Sequence, residues 1–330
     1  MKELIKRLVE AYGPSGCEDE VRALIEAELA GVVDETRVDA MGNLIAHKRG
    51  DGSGRRIMVA AHMDEIGLII THVDEKGFMR FARVGGVLPG TPLGARVRFA
   101  NGVIGVIGHE DGMGAKADGT WEKVFVDVGA TSREDCPVQV GDVAGFYQPM
   151  ADLGGRLVAK SMDDRVGCAV AIAAARAISA TPNDLFLVFT TQEEVGTRGA
   201  VVSAYGIEPE VGIAVDVTPT GDFPESRPMS VSLGQGAAIK VLDSGAISHP
   251  GVKNWMVATA KAGGIPYQLE VLDRGGTDAR AIQTSRAGVP AGCLSVPTRY
   301  VHSQSEMVDM GDLEACVELL AALLENVPQI

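Results

Sequence analysis

The 330-residue chain is short of cysteine, aromatic rings and basic charge. Its five cysteines (Cys17, Cys136, Cys168, Cys293, Cys316) are scattered and form no CxxC pair. That excludes a disulfide framework and a cysteine zinc knuckle, and it favours a reducing compartment. Aromatic residues make up 5%, with two Trp, poor material for a sugar-stacking platform. Lys and Arg number 30 against 44 Asp and Glu, a formal charge of −14. The basic footprint that nucleic acid requires is missing. No stretch approaches the ~20 apolar residues of a membrane span. The opening MKELIKRLVEAYG alternates charged and apolar residues at helical spacing, unlike a signal peptide. A soluble, cytoplasmic protein with neither nucleic-acid nor membrane partners is expected.

What the chain has is apolar matter and glycine: 46% hydrophobic residues and 41 Gly. At roughly 150 residues per domain, its length corresponds to about two domains with packed cores. Leu4, Leu8 and Val9 recur on one helical face before the break Tyr12-Gly13-Pro14-Ser15-Gly16, and a second helix is predicted from Glu18 to Leu29. Arg55–Ala60 has strand length. From Gly67 to Gln148 the pattern is short Val-, Ile- and Phe-containing runs between Gly, Asp, Asn and Pro turns. Those runs are 67–73, 78–83, 95–99, 103–107, 122–128 and 143–146, and they predict a small β-barrel or sandwich. Beyond Val158 strands and helices alternate again, ending in an amphipathic helix over 313–327. The expected fold is an α/β domain (1–66 and 156–330) interrupted by an inserted β-module (67–155).

The chemistry-bearing residues lie just beyond predicted strands. His62 and Asp64 close the first. Asp163-Asp164-Arg165 precedes an Ala-rich helix, Gln192-Glu193-Glu194 follows the strand ending at Thr190, and Asp216 ends another. Tyr300-Val301-His302-Ser303 follows the apolar segment Cys293–Val296. In open α/β sheets ligands bind outside the carboxyl ends of strands, so these groups share one rim. Singly, each has an ordinary explanation. An acidic pair usually marks a helix N-terminus, and His47, His72, His109 and His249 read as surface or satisfied polar groups. Together, carboxylates placed this way repel one another unless a cation sits among them, and Arg165 is the only basic residue in the clusters. Imidazole and carboxylate without thiolate suit zinc first, with cobalt or manganese as alternatives. A carboxylate bridging two metals leaves room for an activated water, and Glu193 and Glu194 are placed to divide the duties of ligand and base.

His62-x-Asp64, Asp163-Asp164-Arg165-Val166-Gly167, Gln192-Glu193-Glu194-Val195-Gly196, Asp216 and Arg299-Tyr300-x-His302-Ser303 together resemble the motif set of the tetrahedral (TET) cocatalytic metallo-aminopeptidases, the glutamyl, leucyl and lysyl enzymes. The match runs from Tyr12 to His302. It implies a zinc-peptidase-like mixed sheet sandwiched by helices, with an inserted β-barrel for dimerisation and dimers assembling into a dodecamer. It also implies two divalent metals per subunit: His62 and Asp216 on one, Glu194 and His302 on the other, and Asp163 bridging. Glu193 would be the general base, Asp64 would orient His62, and the Asp163–Asp164 peptide would be cis. Peptides would be hydrolysed from the N-terminus. Gly275-Gly276-Thr277-Asp278 is a further expected substrate contact, because glycine permits close backbone approach. Competing readings are a carboxypeptidase or deacylase on the same scaffold, a glycosidase, and a non-catalytic metal-binding protein. A glycosidase needs no histidine set, and a structural site needs no base.

Overall fold

The computed structural model describes residues 1–88, 92–112 and 121–330. Helices α1 (Lys2–Glu10) and α2 (Asp19–Leu29) lead into strands β1 (Glu35–Val38), β2 (Leu44–Lys48) and β3 (Arg56–His62). Six further strands follow: β4 (Gly67–Val73), β5 (Met79–Val84), β6 (Arg96–Phe99), β7 (Ile104–His109), β8 (Val124–Asp127) and β9 (Val143–Phe146). The chain returns through β10 (Ala151–Asp152) and β11 (Arg156–Ala159) to α3 (Met162–Ala177). It then alternates: β12 (Asp184–Thr190), α4 (Arg198–Ile207), β13 (Val211–Pro219) and β14 (Ala237–Leu242). Last come α5 (Pro250–Gly263), β15 (Tyr267–Val271), α6 (Asp278–Gln283), β16 (Ala291–Arg299), β17 (Glu306–Asp309) and α7 (Met310–Leu324).

The centre of the molecule is four parallel strands in the order β12-β3-β13-β16. They belong to an eleven-stranded mixed sheet ordered β1-β2-β12-β3-β13-β16-β17-β11-β10, from which β14 and β15 branch at β16. Strand β3 (RIMVAAH) is buried along almost its whole length, as are β13 and β16. Such strands read as continuous apolar runs rather than alternating ones because helices cover both faces. On one face Ile5, Ile25, Ile172, Met256 and Leu320, from α1, α2, α3, α5 and α7, join one apolar core. On the other, Ala204, Ile207 and Ile282 from α4 and α6 pack on Met58, Ala60 and Val188. The mixed sheet sandwiched by helices agrees with the sequence reading.

The six short strands close into a barrel, β4-β5-β8-β7-β6-β9, around Leu68, Val97, Phe99, Ile107 and Val126. Closure pairs each of the six strands with two neighbours. Their limits lie within two residues of the predicted runs. The β1–β2 hairpin and the β14-α5-β15 unit were not marked by the sequence patterns. At the junction between barrel and sheet, buried Glu65 accepts from Lys160 Nζ at 2.7 Å and from the Gly13 amide at 3.1 Å. Arg165, fully buried, donates to the carbonyls of Met63, Leu8 and Gly13 and approaches Glu65 at 3.5 Å. A Cβ on Gly13 would come within 2.7 Å of the Arg165 guanidinium, so the glycine admits the arginine. Arg165 therefore points into the junction and contributes no charge to the acidic rim.

Candidate active site

Parallel packing brings the predicted residues together. Thr190 at the end of β12 lies opposite His62 at the end of β3, and Asp216 on β13 lies opposite Ser295 on β16. Glu193 and Glu194 follow β12, and His302 follows β16. Asp163 stands at the head of α3, where its peptide to Asp164 is cis. His62, Asp163, Glu193, Glu194, Asp216 and His302 all line one cavity of about 1240 Å³.

The distances are those of groups sharing a small space. His62 Nε2 lies 3.0 Å from Asp163 Oδ1, and its Nδ1 lies 3.0 Å from the Asp64 carbonyl. His302 Nε2 sits 3.4 Å from Asp163 Oδ2 and 3.3 Å from Glu194 Oε2. Asp163 thus offers one oxygen to each imidazole. Burial opposes charge on both histidines, but the carboxylates outweigh it, holding His62 well above the ordinary histidine range and His302 up at about 12. Burial likewise pushes the carboxyls up, and mutual repulsion adds to it. Asp216 is raised well above the usual range by burial and Asp163. Glu193 is raised by burial together with Asp216, Asp278 and Glu194. Asp163 is lowered instead, because the two imidazoles overcome its burial, and Asp64 is lowered likewise by His62, the Ser15 hydroxyl and the Glu193 amide.

Asp64 does more than accompany His62. Its carboxylate is 3.4 Å from His62 Nδ1, farther than its own carbonyl. The same carboxylate accepts from the amides of Glu193 at 2.9 Å and Glu194 at 3.2 Å, and from the Ser15 hydroxyl at 2.6 Å. It ties the first strand end to the acidic turn after β12. Asp164 also points inward: its oxygens accept from the amides of His62 and Gly167 at 3.2 and 3.1 Å.

Several residues at the site carry no signal in the sequence. Buried Glu306 accepts from the amides of Asp163 at 3.0 Å and His302 at 2.7 Å, so one carboxylate holds two predicted ligands. Burial and the neighbouring Asp163 push its carboxyl up to about 8. Gly85 and Gly86, which follow barrel strand β5, press against the site. A Cβ on Gly86 would lie 2.3 Å from His302 Nδ1, and one on Gly85 would lie 3.0 Å from Glu194 Cβ. Such paired glycines look like a turn in the sequence. Of the predicted loop, Gly275, Gly276 and Thr277 line the cavity. Asp278 is buried behind it, accepting from Thr190 Oγ1 at 2.6 Å, while its Oδ1 has no hydrogen-bond partner among the described residues.

The donor set fits divalent metal. Among the described residues, His62, Asp163 and Glu194 place one ligand atom each within 4.8 Å of one another, as do His62, Asp164 and Asp216. Buried carboxylates this close are costly unless a cation lies between them. Two imidazoles among carboxylates, without thiolate, suit a transition metal rather than calcium or magnesium.

Titratable groups clustered on the carboxyl edge of a parallel sheet, with a donor set that fits divalent metal, are the makings of a metal-dependent enzyme. The model of the M42 glutamyl aminopeptidase family matches residues 42–319, and the chain belongs to that family, as a metallo-aminopeptidase. It is 38% identical over 339 residues to the lysyl aminopeptidase of Pyrococcus furiosus, spanning 98% of this chain and 96% of that one. An aminopeptidase from the archaeon Desulfurococcus kamchatkensis superposes with a TM-score of 0.93 at 41% identity, over 98% of this chain and 94% of that one. The TET1 peptidase of Pyrococcus horikoshii, which assembles into a tetrahedron or a large octahedral shell, superposes with a TM-score of 0.88 at 33% identity, over 99% of both chains. Among the described residues no helix is long and apolar enough to cross a membrane.

Proposed function

We propose that the chain is a dinuclear aminopeptidase that removes N-terminal residues from peptides, with Glu193 as general base. The observation that carries this reading is Asp163 facing His62 and His302 with its two oxygens at 3.0 and 3.4 Å, the arrangement of a bridging carboxylate. His62 and Asp216 would hold one ion, and Glu194 and His302 the other. Zinc suits this donor set first, and cobalt or manganese would also fit. Asp164 is left out because both its oxygens are engaged by backbone amides.

Divalent metal held by these residues would supply Lewis-acid polarisation of a carbonyl and a water of lowered pKa. The remaining work falls to this chain. Glu193 lines the cavity without belonging to the ligand set, so it is free to take the proton from that water and pass it to the leaving amine. The acidic surroundings that raise Glu193 also favour a substrate ammonium over a carboxylate, which supports an aminopeptidase rather than a carboxypeptidase or deacylase. Gly275, Gly276 and Thr277 would present backbone to the substrate. Residues 67–155 would form the inserted dimerisation module, with dimers building a dodecamer, and the five free cysteines suit a cytoplasmic setting.

Aminoacyl-p-nitroanilides and their N-acetylated counterparts test the reading. Hydrolysis of the free amines only, lost on chelation, is expected. Preference for the acylated compounds would replace the aminopeptidase with a deacylase. Glu193→Gln should retain two metals and lose nearly all turnover.

A further inference from the structure

The acidic turn after β12 is held in an unusual way. Four consecutive amides, Thr191 to Glu194, each donate to a side-chain oxygen from the first 64 residues of the chain. Thr191 N donates to Asn43 Oδ1 at 2.9 Å, and Gln192 N to Glu18 Oε1 at 3.1 Å. Glu193 N and Glu194 N donate to the two oxygens of Asp64. Glu18 is 4% exposed, lies 174 residues from Gln192 in sequence, and also accepts from Gly16 N at 2.8 Å. Asn43 is fully buried and donates to Asp39 Oδ2 at 2.7 Å and to the Gly199 carbonyl at 3.0 Å.

These bonds oppose a local preference. Gln192 has φ +56°, in the left-handed region that disfavours a side chain. Such a conformation persists only where its surroundings hold it. The space is also reserved: a Cβ on Gly199 would lie 2.2 Å from Asn43 Oδ1 and 2.5 Å from the Thr191 carbonyl. Neither Glu18 nor Asn43 lines the cavity.

We infer that Glu18 and Asn43 are positioning residues for Glu193, holding the turn after β12 in the conformation that aims the base into the cavity. The inference rests on Glu193 being the base. With that role, the clamp acts first on proton transfer, and because Glu194 is the next residue on the same turn, kcat is read with the metal sites saturated. A misplacement on the order of 1 Å at a reacting group costs about 100-fold in rate.

The test compares three substitutions at Glu18 in the metal-loaded full chain, using an aminoacyl-p-nitroanilide. Glu18→Gln keeps an oxygen that can accept from Gln192 N, and it should retain kcat within about threefold. Glu18→Met has similar volume and no comparable acceptor. Glu18→Asp keeps the charge but falls one methylene short. Both should lower kcat about 10- to 100-fold with KM and metal stoichiometry unchanged. Amide hydrogen exchange across 190–195 should be faster in both than in Glu18→Gln. Should Glu18→Met fail to fold, the Asp and Gln variants decide the matter. Equal kcat in all three variants, equal loss in all three, or a loss confined to KM or metal content would overturn the inference. A wild-type chain inactive on every free aminoacyl substrate would instead overturn the aminopeptidase reading.

Discussion

Removing the Glu306 carboxylate tests how far the metal site depends on groups that never touch metal. This side chain is 2% exposed and accepts two amide protons, from Asp163 at 3.0 Å and His302 at 2.7 Å. Glu306→Ala leaves both amides buried without a partner. Each unsatisfied buried donor costs about 1–3 kcal/mol. With water refilling part of the cavity, the low end for two amides is about 2 kcal/mol, equivalent to roughly 30-fold in an equilibrium constant. The loss should appear where those amides lie, beneath the proposed ligands Asp163 and His302, and outer partners of metal ligands typically contribute about 10- to 100-fold in affinity. Glu306→Gln keeps one acceptor but turns an NH2 toward the other amide, so its effect should be intermediate or equal, never smaller than wild type. Competitive chelator titration of zinc measures this directly. Affinity within twofold of wild type in Glu306→Ala, with the protein folded, would refute the assignment of Asp163 and His302 as ligands supported from below.

Other consequences are equally concrete. Gly86→Ala places a Cβ 2.3 Å from His302 Nδ1, so it should displace that ring and reduce bound metal from two ions toward one. Unchanged stoichiometry by elemental analysis would contradict the close approach of the barrel to the site. Gly199→Ala collides with Asn43 Oδ1 and the Thr191 carbonyl, and it should lower both thermal stability and kcat, checked by calorimetry and steady-state assay. Asp312 is buried, accepts from the amides of Gly234 and Gly236, and is pushed up to about 6, chiefly by burial. Because its folded pKa exceeds its unfolded value near 3.9, the native state binds the extra proton between about pH 4 and 6. Its contribution to stability should therefore fall as pH rises through that window. The difference in Tm between wild type and Asp312→Asn, followed from pH 4.5 to 6.5, should move accordingly. A difference constant with pH would contradict the shift.

Much of this architecture is legible without coordinates because two physical patterns are strong. The strands of the barrel have short runs broken by turn residues, and parallel strands such as RIMVAAH carry an unbroken apolar stretch, 57–61, because both faces are covered. The predicted ligands share a rim because strand ends do, and their types announce the chemistry. The remainder depends on long-range geometry that periodicity does not encode. The four-residue β1 carries no stripe, with a burial pattern that is mostly exposed. Helix α5 alternates small, polar and bulky residues, and its buried side chains are few. Glu18, Asn43 and Glu306 act by accepting backbone amides, and any buried acid or amide looks alike in a sequence. Arg165 sits in an acidic motif yet turns away to the barrel junction, a direction set by Gly13 and by the carbonyls it meets. Asp64 illustrates the limit best: its pairing with His62 is implied by the family resemblance, whereas its bonds to Glu193 and Glu194 require the parallel register of β3 and β12.

The central proposal is that Asp163, facing His62 and His302, would be shared by two divalent ions. Elemental analysis of metal-loaded protein, paired with turnover of an aminoacyl-p-nitroanilide before and after chelation, measures it most directly. Two ions per wild-type chain, loss of binding in Asp163→Ala, and activity that vanishes with the metals and returns on their addition are the predicted result. A chain that binds fewer than one ion, or that hydrolyses the substrate undiminished after chelation, would contradict it.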